Sequence, residues 1–242
     1  MMNIAQAIKN EVEIFPAGQI FGYQALPIYT KSPVAVIKAI SRMVADQKLE
    51  RFSKGRFYVP KKGVLGSIKP TDAELIRSEL YKDGQLRGYV TGQSLYNLLG
   101  LTTQIPSTIT IAFNGGRQLK DYGTIRIRKI VTRIPIKEQD VKLLQYLDAL
   151  KDIKKISDSN INQSLSIMSR YVSELSASKQ AHLLQLVMKY YTPQVRALVG
   201  LLFTNLGVAV PKSLASSLNP VTVYKLKLDQ SIWPLAKDWN IQ

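Results

Sequence analysis

The sequence predicts an α+β protein in two parts, and three observations carry that prediction. Apolar residues recur at helical spacing over residues 4–46 and again over 138–206. Between these stretches lie β-branched runs with a period of two. A Gly/Pro-rich stretch, GVLGSIKP at residues 63–70, punctuates the chain, and a domain boundary is expected there. The parts are then residues 1–66 and 67–242. At 242 residues and 45% hydrophobic, the chain is long and apolar enough for one or two real cores. It shows no repeat and no low-complexity tract.

In the first part, Ile4, Ala7, Ile8, Val12 and Phe15 form a helical stripe that stops before Pro16. A short element over residues 23–29 buries Leu26 and Ile28. The next helix is better marked. Ser32 is a favourable N-cap, and Pro33 falls at the first helical position, where its missing N–H costs nothing. This helix runs to Asp46 with Val36, Ile40, Met43 and Val44 inward. Ala35, Lys38, Ser41 and Arg42 stay near its open side. Alternation over residues 49–59 around Lys54-Gly55 predicts a hairpin. Helix, turn, helix and basic hairpin make the plan of a winged helix-turn-helix.

The second part is expected to be a mixed α+β domain with a small sheet and a helical portion. Thr71 or Asp72 caps a helix over residues 72–81. A short helix over 93–99 follows the GYVTG stretch. IPSTITIAF, residues 105–113, and TIRIRK, residues 124–129, read as strands, with Gly115-Gly116 as a hairpin turn. Ile125 and Ile127 face one way, Arg126 and Arg128 the other. Helices are expected over 138–156, 161–175, 178–191 and 193–206. A last strand is expected over 221–228. The helix over 193–206 is apolar on more than one face, so it is read as central to the core.

Lys and Arg number 33 against 17 Asp and Glu, a net charge of +16. Both parts share the excess, so it is not a tail, and it points to an anionic partner such as nucleic acid. The absence of cysteine excludes disulfides, thiolate metal sites and a Cys nucleophile, and the single histidine, His182, excludes multi-His metal sites. No catalytic constellation stands out. The glycines of residues 84–92 lack the phosphate-loop lysine, and Gly115-Gly116 lacks the third glycine of a dinucleotide fingerprint. His182 reads as a structural or surface residue. Asp148 and Asp152, one turn apart, are a weak cation pair at best. No enzymatic activity, cofactor or metal is expected. The opening residues lack a signal-peptide pattern, and the longest apolar run, 195–206, is too short to span a bilayer. A cytoplasmic protein with no membrane partner is expected.

The densest chemistry lies between Lys31 and Lys62. Nine basic residues there face only Asp46 and Glu50. A helix fits the major groove and reads base edges, a wing reaches phosphates or the minor groove, and a helix N-terminus holds a phosphate. Lys38 and Arg42 on the helix and Lys54 and Arg56 at the wing are the candidate contacts. Pro33 and Ala35 beside them offer apolar contact to thymine methyls. Arg126, Arg128, Lys129 and Arg133 form a candidate second basic surface. The bland reading of both sets is a solvated or protein-facing surface.

Two stretches resemble the AbiEi-type antitoxin and transcriptional-regulator family of bacterial type IV toxin–antitoxin systems. They are SPVAVIKAISRMVADQKLERFSKGRFYVPKKGVLG, residues 32–66, and GYVTGQSLYNLLGLTTQIPSTITIAF, residues 88–113. The run LLGLTTQIP, residues 98–106, is the more specific signature. The resemblance implies an N-terminal winged helix that binds double-stranded operator DNA upstream of its own gene and represses it. It also implies a C-terminal antitoxin domain and a nucleotidyltransferase-like toxin as partner. Carried to this chain, the DNA contacts fall on Ser32, Pro33, Ala35, Lys38 and Arg42, with the wing at Lys54 and Arg56. The expectation is a sequence-specific, autoregulating repressor. The alternative is a protein-interaction module that neutralises a toxin without significant DNA binding. An RNA-binding role would need exposed aromatics, for which Tyr58 and Tyr122 are the near candidates.

Overall fold

The structure, a computed structural model, describes residues 4–63, 66–82 and 84–242, the side chain of Lys62 excepted. Residues 1–3 of the expected first domain, and Val64 and Leu65 of the expected boundary, lie outside the described residues. The chain forms two compact units, Met1–Gly88 and Tyr89–Gln242, within an α+β fold of interspersed helices and small sheets.

The first unit starts with α1 (Ile4–Glu13), whose Ala7, Ile8 and Val12 are buried at helical spacing. After it come β1 (Ile20–Gly22) and two 3-10 turns, Tyr23–Ala25 and Pro27–Thr30, on either side of the fully buried Leu26. α2 (Pro33–Ala45) carries Pro in its first turn and buries Val36 and Ile40, one turn apart. It ends where Gln47 adopts a left-handed backbone, the conformation that commonly closes a helix. β2 (Glu50–Ser53) and β3 (Arg56–Tyr58) form the expected hairpin, with an irregularity between Arg51 and Ser53. β1 adds to the other edge of β3, pairing Ile20 with Tyr58 and Phe21 with Phe57, so the antiparallel sheet runs β1–β3–β2. Ile8, Val12, Phe21, Leu26, Val36, Ile40, Leu49 and Phe57 make one core beneath it.

Two small hairpins complete this unit around α3 (Asp72–Leu80): β4 (Lys61–Gly63) with β5 (Gly66–Ile68), and β6 (Tyr81–Lys82) with β7 (Gln85–Leu86). The expected boundary after residue 66 is therefore displaced to Gly88. The reason is polar. Glu74 Oε1 accepts the Ile20 N–H at 2.7 Å, and Arg77 Nη2 donates to the Ile20 carbonyl at 3.0 Å. Two side chains of α3 thus satisfy the outer edge of β1, which has no further strand beside it among the described residues. Glu79 pairs with Arg56 of β3 at 3.1 Å.

The second unit opens within β8 (Gly88–Thr91), at Tyr89, and Gly92 at φ +68° joins that strand to α4 (Gln93–Leu98). A Cβ there would stand 3.2 Å from the Thr110 Cβ and adopt a strained backbone, so the position favours glycine. β9 (Thr108–Phe113) and β11 (Arg126–Val131) are the two expected strands, but they run parallel. Gly115-Gly116 is therefore not a hairpin turn between them. It leads instead to β10 (Gln118–Asp121), a short polar strand that pairs antiparallel on the far side of β11 and completes the order β10–β11–β9–β8.

The helical portion follows the apolar spacing. A 3-10 turn at Glu138–Asp140 leads into α5 (Val141–Lys151), then α6 (Ile161–Ser173), α7 (Ala177–Tyr190), α8 (Pro193–Asn205) and the short α9 (Lys212–Ser216). Asn160 and Ser176 cap α6 and α7 by accepting their first N–H groups. α8 is buried without a break from Ala197 to Phe203, as expected of a central helix. Residues 221–228 do not form the expected strand. Their alternation is real, with Leu226 and Leu228 buried, but Lys227 has a left-handed backbone and only a single bridge forms, Tyr224 to Ile241.

Candidate nucleic-acid interface

Burial of Val36 and Ile40 fixes the rotation of α2 and thereby selects its open face. Lys38, Ser41 and Arg42 lie exposed on that face, as does Pro33, while Ser32 and Ala35 are half-buried. Ser32 occupies the N-cap position, but its hydroxyl makes no capping hydrogen bond. Two residues that sequence reasoning missed stand in the same face: Val34, 66% exposed, and Ile37, 40% exposed. Helical spacing alone marks them, since both fall outside the buried arc of Val36 and Ile40.

The hairpin places Lys54 at its exposed tip, beside Gly55 at φ +71°. Arg56 is a correction. Its Nη1 donates to Glu79 Oε1 at 3.1 Å, its Nη2 to the Ser78 carbonyl at 2.6 Å, and its guanidinium lies over the Phe52 ring. Glu79 is buried, so the pair ties β3 to α3 rather than presenting a free cation at the wing. Lys38, Arg42 and Lys54 have no ion-pair partner among the described residues.

Glu50, one of the two acids between Lys31 and Lys62, is occupied elsewhere. Glu50 accepts a hydrogen bond from Tyr58, and its carboxyl is held below the usual range by Ser67 first and Tyr58 second. Burial, then Glu50, pushes the Tyr58 phenol up to about 12. Tyr58 is buried, so it is not the exposed stacking aromatic that an RNA-binding reading required.

Between α1 and α2 runs a groove of about 380 Å³. Ile4, Ala5, Ile8, Ala35, Ala39 and Met43 line it, and Lys9, Lys38, Arg42 and Lys48 stand with them.

In the second unit, Arg126 and Arg128 are exposed on one face of β11 and Arg133 is exposed beyond its end. Arg126 donates to Asp121 at 2.9 Å. Lys129 does not share this surface. The two-residue period turns it to the opposite face, where it is 7% exposed with its ammonium 4.3 Å from the centre of the Phe113 ring. His182 lies 2.7 Å from Asp140. Asp148 accepts from Tyr89, Thr91 and Tyr191, and Asp152 from Tyr96 and Lys155, each carboxylate within its own network. No group of three or more His, Asp or Glu suited to a metal ion occurs among the described residues.

A family model matches residues 7–175, well over half of the chain. The chain belongs to the DUF6088 family. DUF6088 is described as a family of unknown function, so membership assigns no activity. None of the curated proteins matches the sequence. The crystal structure of the RV2827C protein from Mycobacterium tuberculosis is similar to this DUF6088 chain, with a TM-score of 0.50 at 15% identity. The alignment covers 98% of this chain and 89% of that one, a likeness of fold alone.

Proposed function

We propose that the protein is a sequence-specific DNA-binding repressor that acts through a winged helix-turn-helix in its first unit. The observation that carries the reading is the open face of α2. It presents Lys38 and Arg42 beside the apolar Val34 and Ile37, with the Lys54 tip in the same unit. The order of elements, α1, β1, a turn pair, α2 and a two-stranded hairpin in one three-stranded sheet, is the order such a domain uses. Cations place the helix against phosphates, and Val34 and Ile37 offer methyl contacts to thymine in the major groove. Autoregulation and an antitoxin role opposite a nucleotidyltransferase-like toxin rest on the resemblance of residues 32–66 and 88–113. They are part of the proposal.

Fluorescence anisotropy with the duplex upstream of the gene, against a scrambled duplex across a salt series, tests it. The expected result is at least about tenfold preference for the upstream duplex and a steep loss with salt. Equal, weak binding to both would favour the protein-interaction module instead.

A further inference from the structure

The groove between α1 and α2 sets apolar walls beside a cationic rim. Its walls are methyl groups: Ile4 and Ala5 on α1 face Ala35, Ala39 and Met43 on α2, over the buried Ile8. It exists because α2 carries alanine at 35 and 39, one turn apart, where a longer side chain would fill the space. Its four charged lining residues, Lys9, Lys38, Arg42 and Lys48, are all cationic, and no acid among the described residues lines it. A volume of about 380 Å³ falls in the range of small-molecule sites. A phosphate backbone would satisfy the cations and leave the apolar walls wet. Lys9 pairs with Glu13 at 3.7 Å, so a hydrocarbon alone would cover the walls and leave Lys38, Arg42 and Lys48 without a counter-charge.

We propose that this groove binds a small anionic amphiphile, an apolar body with one carboxylate or phosphate, whose head group takes Lys38 and Arg42 and so weakens DNA binding. The inference rests on the DNA-binding reading only for its second half, since the same two cations serve both ligands. Burial of the apolar body supplies the affinity, and Lys38 and Arg42, which have no ion-pair partner among the described residues, select the charge.

The test uses the full chain with octanoate, octyl phosphate, octanol and acetate as probes. Titration calorimetry and backbone-amide NMR report binding, and anisotropy on the upstream duplex reports its effect. Octanoate or octyl phosphate should bind with shifts confined to α1 and α2, at least about tenfold tighter than octanol and acetate. The preferred head group tells carboxylate from phosphate. Ala39→Leu, which fills the groove, should weaken binding at least about tenfold while leaving DNA affinity unchanged. Where that variant fails to fold, Lys48→Ser should weaken the charged probes and not octanol. Octanoate or octyl phosphate should lower DNA affinity at constant ionic strength. No binding by either charged probe, equal binding by octanol, or unchanged binding in a folded Ala39→Leu variant overturns the site. Binding in the groove without loss of DNA affinity overturns the competition. Failure of the duplex to bind at all, with octanoate still in the groove, sinks the repressor reading and leaves the site standing.

Discussion

Asp148 is the residue on which the most buried polarity converges. Tyr89, Thr91 and Tyr191 each donate to it at 3.0 Å, joining β8, α5 and the segment before α8. Burial raises its carboxyl above the usual range and outweighs these donors. Asp148→Ala leaves the buried Tyr89 and Thr91 hydroxyls without their acceptor and Tyr191 with only the Leu144 carbonyl at 3.3 Å, and should cost about 2–4 kcal/mol by denaturant unfolding at neutral pH. The pH dependence has a definite sign. The folded state holds this proton more tightly than the unfolded chain. Stability from this group is therefore greatest below the ordinary carboxylate range and falls as pH rises through the raised value. Wild type should gain on Asp148→Asn as pH drops through that window, and a flat difference would contradict the assignment. Two other residues make opposite forecasts. Ser32→Ala should cost less than about 0.5 kcal/mol, below the usual loss of ~1 kcal/mol for an N-cap, because the hydroxyl makes no cap bond. Gly200→Ala should be severe. A Cβ there would sit 2.2 Å from the Trp239 ring, which also donates to Thr204, so the indole must leave its seat. A loss of about 3 kcal/mol or more, the upper range for overpacking, is expected in thermal unfolding.

At the scale of the element, the hairpin separates two cations that only Gly55 parts in sequence. Lys54 is exposed at the tip, and Arg56 is anchored on Glu79. Arg56→Ala should cost about 2 kcal/mol of stability, less than the ~3–5 kcal/mol for a fully buried pair because its guanidinium keeps a solvent face. Lys54→Ala should leave stability within about 0.5 kcal/mol. It should reduce the slope of log affinity against log salt by about one contact's share, ~0.9. If Lys54→Ala leaves that slope unchanged and Arg56→Ala alone reduces it, the two roles are exchanged. The same elements show what was legible in sequence. α5 to α8 were, because Leu144, Leu147 and Leu165, Met168, Val172 repeat at helical spacing over ten or more residues. β10 was not, since four mostly polar residues carry no period. The parallel pairing of β9 and β11 was hidden too, because alternation gives a strand its faces but not its neighbour.

On the scale of the whole molecule, the net charge of +16 sets a background affinity for any polyanion. Specific binding must be read as a ratio to that background, and the ratio should widen as salt rises. The extent of the first unit was not legible because Glu74, Arg77 and Glu79 hold α3 to the sheet through contacts more than twenty residues apart, which leave no mark on composition. Of the candidate interface, the positions of Lys38, Arg42 and Lys54 were readable from pattern. Helical spacing also marked Val34 and Ile37, but the capture of Arg56 needed the third dimension. So did the turning of Lys129 away from Arg128, which the strand's own alternation implied once its bounds were known.

The sheet of the second unit has its latest-synthesised strand in its middle. β11 lies between β9 and β10, so adding strands in chain order cannot build it. Its turn is self-contained: the Asp121 carboxylate accepts from the Gly123 N–H and from Arg126, and the Tyr122 N–H donates to the Ile125 carbonyl. The β10–β11 ribbon is therefore expected to form first, with its free edge then docking on β9 by long-range pairing. In a refolding experiment, weakening that turn with Gly123→Val should slow folding. Trimming Ile111 on β9 to Val should chiefly hasten unfolding.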